Sequence, residues 1–449
     1  LGVVVQFGGQ TAINLAEPLV RHGVKILGTS LEGIDLAEDR KRCEALLKEL
    51  DIPQTKGMSV ASPQEAVKIA GELEFPLVVR PSYVLGGRAM EIVRTLEELL
   101  SYTGWAVSAA SGHPVLIDKY LPGTEVEVDA LCDGKDVLIA GVMEHIERAG
   151  VHSGDSIAVY PAPTLPPEIK KKIVFYTESI GKSFGIVGLF NIQFVYHEQQ
   201  IFVLEINPRA SRTVPVLSKV TGLPLVKVGT FLMLGETLKS LGLPSGLWPE
   251  PDFYTVKAPV FSFEKLSRVD TYLGPEMKST GEVMGCDYSL GKALYKAMLA
   301  VYGKMPLNGN LLVSLAEKDK SAALPLLKDY ISLGYRIYAG GETARYLKKE
   351  GLDVAVADLA SNNLLDLIRK GQIQLVINTP TKGHIPDRMG FQIRRAAAEY
   401  RVPCFTSLDT AQAFRDVLIF IKNQQYMEAR AIQDLRKYAE VRQRIAYVG

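Results

Sequence analysis

The chain has 449 residues, room for two or three domains with ample buried core. Its 51 basic residues are matched by 50 acidic ones, so no charge excess argues for nucleic acid or a membrane as the main partner. Cys43, Cys132, Cys286 and Cys404 are widely spaced and form no CxxC pair, which argues against a zinc site or disulfide scaffold and suits a reducing cytosol.

No signal peptide, long charge-free apolar run or low-complexity segment stands out, so a soluble, cytoplasmic protein is expected. Leu1 already lies inside the apolar run that includes Val3-Val4-Val5, which predicts a chain beginning partway through a larger polypeptide. Gly2 to Gln6 reads as a strand, Thr11 to His22 as a helix and Val24 to Leu27 as a second strand, together one β-α-β unit. Gly8-Gly9-Gln10-Thr11 falls between strand and helix, where backbone N–H groups can meet an anion, although a Gly-Gly turn is commonly no more than a turn. Asp35 to Leu50 reads as a charged helix carrying Arg40, and Ser62-Pro63-Gln64-Glu65 opens another with capping-box spacing.

Phe75 to Ser82 predicts a strand with Arg80 near its end, then a loop Tyr83-Val84-Leu85-Gly86-Gly87-Arg88, then a strand to Val93. No GxxxxGK[ST] occurs, which excludes a P-loop as a motif. A Gly86-Gly87 hairpin flanked by Arg80 and Arg88 could still fold over triphosphate, because glycine lets backbone amides approach the oxygens closely. Val115 to Leu121 is an apolar strand that turns at Pro122-Gly123 into the alternating Glu125 to Ala130. Two readings stand here: an adenine edge held by backbone groups with Glu125 on a ribose hydroxyl, or an acidic outer strand face. Gly141 to Ser156 is dense in small and polar residues and is expected to be a ligand loop, in which His145 and His152 are too irregularly placed to make a metal case.

Asn191 to Tyr196 alternates polar and apolar and is joined through His197-Glu198-Gln199-Gln200 to the strand Phe202 to Asn207, a β-hairpin. Alternation sends Val203, Glu205 and Asn207 to one face and Phe202, Leu204 and Ile206 to the other. Gln193 shares the face of Glu205 if paired positions sum to an even number, and an odd-length loop around Glu198 is expected to set that register. A carboxylate beside amide oxygens is a set of hard ligands, and Mg²⁺ is commonly held by one or two carboxylates plus substrate phosphates, which suggests a nucleotide site. Pro208 then stops the strand, and Arg209 and Arg212 supply cationic forks for phosphate oxygens. A polar strand face running into a basic turn is the alternative reading of this window.

Ser218 to Leu238 reads as helical or turn-rich packing, Leu241 to Pro251 as a Pro/Gly linker, and Val256 to Phe263 and Gly274 to Glu282 as strand and turn. From Gly309 the pattern becomes a regular β/α alternation with strands at Leu311-Val313, Tyr335-Tyr338, Val354-Val356, Leu375-Asn378 and Val402-Phe405, a separate parallel-sheet domain. Ligands in such sheets sit beyond the carboxyl ends of the strands, here Gly340-Gly341-Glu342-Thr343 and Asn378-Thr379, where Lys320 and Lys382 could add positive charge. Tyr426 to Arg444 reads as a charged surface helix.

On Arg80-Pro81-Ser82-Tyr83-Val84-Leu85-Gly86-Gly87-Arg88, Ala149-Gly150-Val151-His152-Ser153-Gly154-Asp155-Ser156 and Glu205-Ile206-Asn207-Pro208-Arg209, the chain resembles the carbamoyl-phosphate synthase large chain from end to end. The Tyr-Val-Leu-Gly-Gly-Arg loop and the continuation Arg212-Thr213-Val214-Pro215 resemble its C-terminal half. The resemblance implies a mixed α/β and α+β chain: a partial pre-ATP-grasp, Rossmann-like unit over residues 1–36, an ATP-grasp domain over 37–236, a closing segment and connector over 237–302, and a methylglyoxal-synthase-like regulatory domain over 303–449.

It also implies an ATP-dependent ligase that phosphorylates carbamate to carbamoyl phosphate for arginine or pyrimidine biosynthesis. Carried over by position, Arg40, Arg80, Lys119, Leu121, Glu125, Gly150, Val151, His152, Ser153, Gln193 and Glu205 match nucleotide-binding residues. Gln193, Glu205 and Asn207 match the ligands of two divalent ions, Mg²⁺ or Mn²⁺, with K⁺ as a further ion, and Arg209 and Arg212 are assigned with Glu205 and Asn207 to the reacting groups. Lys320, Thr343 and Asn378 match contacts to a small-molecule allosteric effector, whereas Gly340 stands where a related enzyme has threonine. The implied partners are the upstream half of the same large chain and a separate small glutaminase subunit that supplies ammonia, because this chain has no glutaminase nucleophile signature. Another ATP-grasp carboxylate ligase, or a noncatalytic effector-binding module, are the competing readings.

Overall fold

The computed structural model describes residues 2–81, 90–109, 115–266, 269–357, 363–380, 388–423 and 428–436. The chain divides into two compact units, one of residues 1–255, 275–277 and 430–449, the other of 256–274 and 278–429.

The first unit opens with Val3 bridged in parallel to Ile26, so the expected β-α-β order holds with only a single bridge as its sheet. The helix expected over Thr11 to His22 is broken into α1 (Gly9–Ile13) and α2 (Ala16–Arg21), where Pro18 has no N–H to offer the carbonyl of Asn14. The charged helix expected over Asp35 to Leu50 is also two, α3 (Leu31–Glu38) and α4 (Arg40–Glu49). Asp39 takes an extended ψ of 110°, and its Oδ1 accepts from Arg42 N at 3.0 Å. An N-cap of this kind satisfies a first-turn amide and stops the preceding helix, and it sets Arg40 at the first position of the new one.

A four-stranded antiparallel sheet follows, with β1 (Gly57–Val60), β2 (Leu77–Pro81), β3 (Glu91–Val93) and β4 (Val115–Lys119) in the order β1-β4-β2-β3. Helices α5 (Pro63–Leu73) and α6 (Leu96–Ala109) cover one face, where Leu77, Val79, Val115 and Ile117 pack with Ala66, Ile69 and Leu99. The capping box is present: Ser62 Oγ accepts from Glu65 N at 3.3 Å, and Glu65 Oε2 accepts from Ala61 N at 2.9 Å. Since Val79 and Ile117 point inward, Arg80 and Asp118 emerge together on the other face.

The larger sheet of this unit contains β5 (Thr124–Asp133), β6 (Val137–Arg148), β7 (Ala158–Tyr160), β8 (Val187–His197) and β9 (Gln200–Asn207), in the order β7-β6-β5-β8-β9. The helices α7 (Pro167–Ser183), α8 (Val214–Thr221) and α9 (Leu225–Met233) accompany it, and the expected linker contains a short β10 (Gly246–Leu247) that pairs in parallel with β6. Val126, Val128, Ala130, Ile192, Phe194 and Ile206 join one core under this sheet. The stretch expected as a ligand loop from Gly141 to Ser156 is strand as far as Arg148, and only Ala149 to Ser156 is a turn, with a single 3-10 turn at Ser153–Asp155.

Two expectations for the hairpin change. Gln193 is paired with Glu205, as expected, but the turn is the two-residue Glu198-Gln199, both at positive φ (47° and 62°), beyond the pair His197 and Gln200. An even-length turn gives odd sums, Phe194 with Val203 for example; a β-bulge at Leu204 then shifts the pairing to the even sums Gln193 with Glu205 and Asn191 with Asn207. The bulge also reverses the phase of the strand, so Val203 lies in the apolar core with Ile206 instead of sharing the face of Glu205.

In the second unit β11 (Tyr254–Phe261) and β12 (Ser279–Asp287) are neighbours, and α10 (Leu290–Tyr302) packs on β12. The strands β13 (Gly309–Ser314), β14 (Tyr335–Ala339), β15 (Val354–Val356), β16 (Leu375–Asn378) and β17 (Cys404–Phe405) form a parallel sheet in the order β15-β14-β13-β16-β17. Helices α11 (Lys320–Ser332), α12 (Gly341–Lys349), α13 (Asn363–Arg369), α14 (Met389–Glu399) and α15 (Leu408–Asn423) alternate with them. Among the described residues no single helix is long and apolar enough to cross a membrane.

Candidate functional site

The bulge at Leu204 sets the centre of the site. It brings Gln193 opposite Glu205 and Asn191 opposite Asn207 at the end of the hairpin, with Glu205 exposed and Asn207 buried. Gln193 Nε2 donates to Ser153 Oγ at 2.9 Å, which turns its amide oxygen away from that hydroxyl. One carboxylate and two amide oxygens form a hard-oxygen set of the kind that binds Mg²⁺ when phosphate and water complete the shell. The residues therefore fit a divalent ion, although among the described residues no three His, Cys, Asp or Glu side chains converge into a metal cluster.

The turn after β9 carries Arg209 and Arg212. Arg209 N donates to Asn207 O at 2.8 Å and Ala210 N to Gln6 O at 2.9 Å, while Arg209 Nε reaches Gln10 Oε1 at 3.4 Å. Gln10 also donates to Glu38 Oε2 at 2.9 Å, so the N-terminal glycine turn contributes a side chain that ties Glu38 to the arginine turn. Burial, then the nearby Glu205 carboxylate, hold the Glu38 carboxyl above its ordinary range.

Arg40 and Arg80 converge on one carboxylate that sequence reading did not single out, Asp118. Arg40 Nη1 lies 2.5 Å from Asp118 Oδ1, and Arg80 Nε lies 3.1 Å from Asp118 Oδ2. Gly57 makes room for this: a Cβ there would stand 1.8 Å from Asp118 Oδ1 and 2.3 Å from Arg40 Nη2. A further residue of this strand, Lys119, directs Nζ to the carbonyls of Glu74 and Phe75, at 3.3 and 3.5 Å. Leu121 is half-buried in the turn beyond it.

Glu125 Oε1 accepts from Gly150 N at 3.2 Å, and Tyr120 Oη donates to Ala149 O at 2.6 Å, so both ends of β5's entry turn hold the segment Ala149-Gly150-Val151. Gly150 has φ +105°, a conformation that strains any residue with a side chain, and a Cβ there would also push on Ile92 Cδ1 at 2.6 Å. His152 Nδ1 accepts from Gly154 N at 3.0 Å; burial pushes its pKa down, leaving the neutral ring that this acceptor role requires. Thus Arg40 and Arg80 meet through Asp118, Glu125 meets Gly150, Ser153 meets Gln193, and Gln193 meets Glu205. Arg88, Gly86-Gly87 and Lys382 lie outside the described residues.

The acidic face of β5 is internal rather than an outer strand face: Glu125, Glu127 and Asp129 are all buried. His145 of β6 stands between two of them, Nδ1 3.3 Å from Glu125 Oε2 and Nε2 3.4 Å from Glu127 Oε2. Burial opposes a charge on this ring, but Glu125 and Glu127 outweigh it and raise its pKa to about 9. Asn191 Nδ2 continues the chain of contacts, donating to Glu127 Oε1 at 2.9 Å and Asp129 Oδ1 at 3.1 Å. Period-2 reading of Glu125-Val126-Glu127-Val128-Asp129 would have placed all three carboxylates on one face; nothing in the sequence marks that face as buried.

In the second unit, Thr343 Oγ1 accepts from Leu315 N at 3.1 Å, Thr379 Oγ1 from Ala316 N at 2.8 Å, and Lys320 Nζ pairs with Glu317. All three contacts engage the loop after β13, so Lys320, Thr343 and the end of β16 at Asn378 gather beyond the carboxyl ends of adjacent strands. Asn378 Oδ1 accepts from Arg394 Nη1 at 2.8 Å, and Arg394 in turn makes a two-pronged ion pair with Asp270.

Comparison with known proteins bears on the whole chain. Residues 1–36 match the model of the carbamoyl phosphate synthase preATP-grasp domain, residues 39–241 that of the carbamoyl-phosphate synthase L chain ATP binding domain, and residues 322–406 that of the MGS-like domain. The carbamoyl phosphate synthase large chain of Clostridium acetobutylicum is 52% identical over 437 residues, 97% of this chain; the chain spans 41% of that relative's length. Among solved structures, biotin carboxylase from Campylobacter jejuni in a β,γ-ATP complex superposes with a TM-score of 0.53 at 17% identity, covering 65% of this chain and 71% of the other. The biotin carboxylase domain of 2-oxoglutarate carboxylase from Hydrogenobacter thermophilus, in complex with MgADP, ADP and bicarbonate, gives the same TM-score at 19% identity and the same coverage. Those two likenesses bear on fold alone, and with the three domain matches and the identity across nearly its full length, the chain belongs to the carbamoyl-phosphate synthase large-chain family.

Proposed function

We propose that this chain is the C-terminal half of a carbamoyl-phosphate synthase large chain and transfers the γ-phosphoryl group of ATP to carbamate, giving carbamoyl phosphate and ADP. The observation that carries the reading is the bulge-set pairing of Gln193 with Glu205 and Asn191 with Asn207, directly followed by the Arg209 to Arg212 turn. Carbamate is already an oxyanion, so no general base is required; its short life in water makes positioning and solvent exclusion the main tasks.

In this reading Arg40 and Arg80, fixed by Asp118, hold nucleotide phosphates, while Lys119, Leu121, Glu125, Gly150, Val151, His152 and Ser153 line the nucleotide. Gln193, Glu205 and Asn207 would hold divalent ions, Mg²⁺ or Mn²⁺, which supply charge neutralisation between the phosphates. Arg209 and Arg212 hold carbamate or the migrating phosphoryl group. Residues 1–36, 37–236, 237–302 and 303–449 serve as pre-ATP-grasp unit, ATP-grasp domain, connector and regulatory domain, and Lys320, Thr343 and Asn378 take a small effector.

A different ATP-grasp carboxylate ligase would leave the MGS-like match at residues 322–406 without a purpose. The upstream half and a glutaminase subunit complete the enzyme in this reading, and carbamoyl phosphate enters arginine or pyrimidine synthesis. The test is ATP formation by the chain from carbamoyl phosphate and ADP with MgCl₂. ATP formation that is abolished in Glu205→Gln supports the proposal; ADP binding without any ATP formation, from carbamoyl phosphate of verified integrity, overturns it.

A further inference from the structure

Asp129 has no part in the roles assigned so far, yet its carboxylate takes hydrogen bonds from three side chains beside the arginine turn. It lies mid-strand in β5, opposite Asn191, and only 1% of its surface is exposed. Oδ1 accepts from Ser211 Oγ at 2.7 Å and from Asn191 Nδ2 at 3.1 Å, and Oδ2 accepts from Thr213 Oγ1. Ser211 Oγ also accepts from Thr213 N at 3.1 Å and lies 2.7 Å from Thr213 Oγ1. The two hydroxyls flank Arg212 in sequence and follow Arg209 by two and four residues. On its other side the same turn is held by Gln6 O and Gln10 Oε1.

A carboxylate taken out of water is costly unless its oxygens are satisfied. Burial, followed by repulsion from Glu127, holds the pKa of Asp129 up at about 7, while hydrogen bonds from Thr213, Ser211 and Asn191 oppose that rise. A neutral residue here would build a more stable sheet. The feature that the carboxylate secures is the conformation of the segment bearing Arg209 and Arg212, because two of its three donors are Ser211 and Thr213 of that segment and the third is Asn191 of the neighbouring strand β8.

We propose that Asp129 is a positioning residue: by accepting from Ser211 and Thr213 it pins the Arg209–Arg212 turn to β5, so that the two guanidinium groups meet the transferred phosphoryl group without rearranging. Reacting groups held in advance lower the reorganisation needed in the transition state, and misplacement by about 1 Å costs on the order of 10²-fold in rate. The inference rests on the proposed role of Arg209 and Arg212.

Asp129→Asn keeps the shape of the side chain, but its Nδ2 cannot accept, so one of the two hydroxyls loses its acceptor and must turn. In the 449-residue chain, kcat for ATP formation from carbamoyl phosphate and ADP falls about 10- to 100-fold. KM for MgADP stays within about twofold, and the unfolding midpoint is unchanged or higher because a buried charge has gone. Ser211→Ala, which leaves the carboxylate in place, gives a smaller fall in kcat, and the double variant is no slower than Asp129→Asn by more than about twofold, since both changes cut the same link. Hydrogen exchange at the Thr213 amide speeds up at least tenfold in Asp129→Asn while exchange in β5 and β8 is retained. Unchanged kcat in both single variants, or a fall in kcat matched by lower stability and weaker MgADP binding, overturns the inference while leaving the carbamate reading intact. If the parent forms no ATP, the carbamate reading fails by itself, and unchanged exchange at Thr213 in Asp129→Asn would still overturn the anchoring role.

Discussion

His145 offers the sharpest test of the buried acidic face. Its ring is 1% exposed and lies between Glu125 and Glu127, at 3.3 and 3.4 Å. Burial disfavours the imidazolium, yet the two carboxylates raise its pKa from 6.5 to about 9. A folded pKa above the unfolded one means that the native state binds a proton the unfolded state releases. The contribution to stability is then fully present below about pH 6.5 and is lost as the pH rises through about 9. At about 1.4 kcal/mol per pH unit, that interval corresponds to about 3 kcal/mol.

His145→Gln keeps a hydrogen-bonding side chain but removes the charge, leaving Glu125 and Glu127 to face each other. Both tryptophans, Trp105 and Trp248, lie in the first unit, so their fluorescence during urea unfolding reports on the unit that holds His145 and not on the second unit. Parent and variant are compared at pH 6, 7.5 and 9.5, and the difference between them isolates His145 from other groups that titrate in the same range. The variant is expected to be less stable by about 3 kcal/mol at pH 6, with the gap narrowing by a similar amount at pH 9.5. A gap that stays constant across this range would refute the charged-histidine account.

Three further outcomes follow from named contacts. Asp118→Asn removes the shared negative charge from Arg40 and Arg80, at 2.5 and 3.1 Å; charge-assisted contacts of about 1.5–3 kcal/mol imply MgADP binding weaker by about 10- to 100-fold in calorimetric titration, and unaltered affinity would sink the shared-anchor role. Glu205→Gln removes the one carboxylate paired with Gln193, so phosphoryl transfer is expected to drop at least ~10²-fold, and near-normal turnover with unaltered metal dependence would exclude Glu205 as a metal ligand. Lys320→Ala removes a buried ammonium beyond the end of β13; effector titrations should show weaker binding of an anionic nucleotide with basal ATP formation retained, since coupling between sites is typically ~1–3 kcal/mol, whereas collapsed basal activity with an unchanged effector response would place Lys320 in the fold.

Strand and helix existence was legible wherever a period was sustained, as in the five strands of the parallel sheet, because a β/α alternation leaves few ways to bury both faces of a sheet. The pairing of Gln193 with Glu205 was also anticipated, but for the wrong reason: the turn has even length, and the bulge at Leu204 restores the phase. A bulge costs one residue and leaves no mark in composition, so alternation misplaced Val203. Helix breaks at Asp39 and before Pro18 were similarly hidden inside continuous charged or apolar patterns, although both residues are recognisable stops once the break is known.

What the sequence determined by itself were the one-dimensional quantities: periodicity, the order of oxygen-bearing side chains and arginines, and the motifs that carry the family. Which carboxylates are internal is not among them, since Glu125, Glu127 and Asp129 read identically on a wet or a dry face, and only the strands on either side of β5 decide. The same holds for Asp118, 78 residues from Arg40 in the chain, and for Asp129, 82 and 84 residues from its hydroxyl partners. Contacts at such separations arise from sheet register and packing, which no local pattern encodes, and they are the ones that fix where the charges of this site stand.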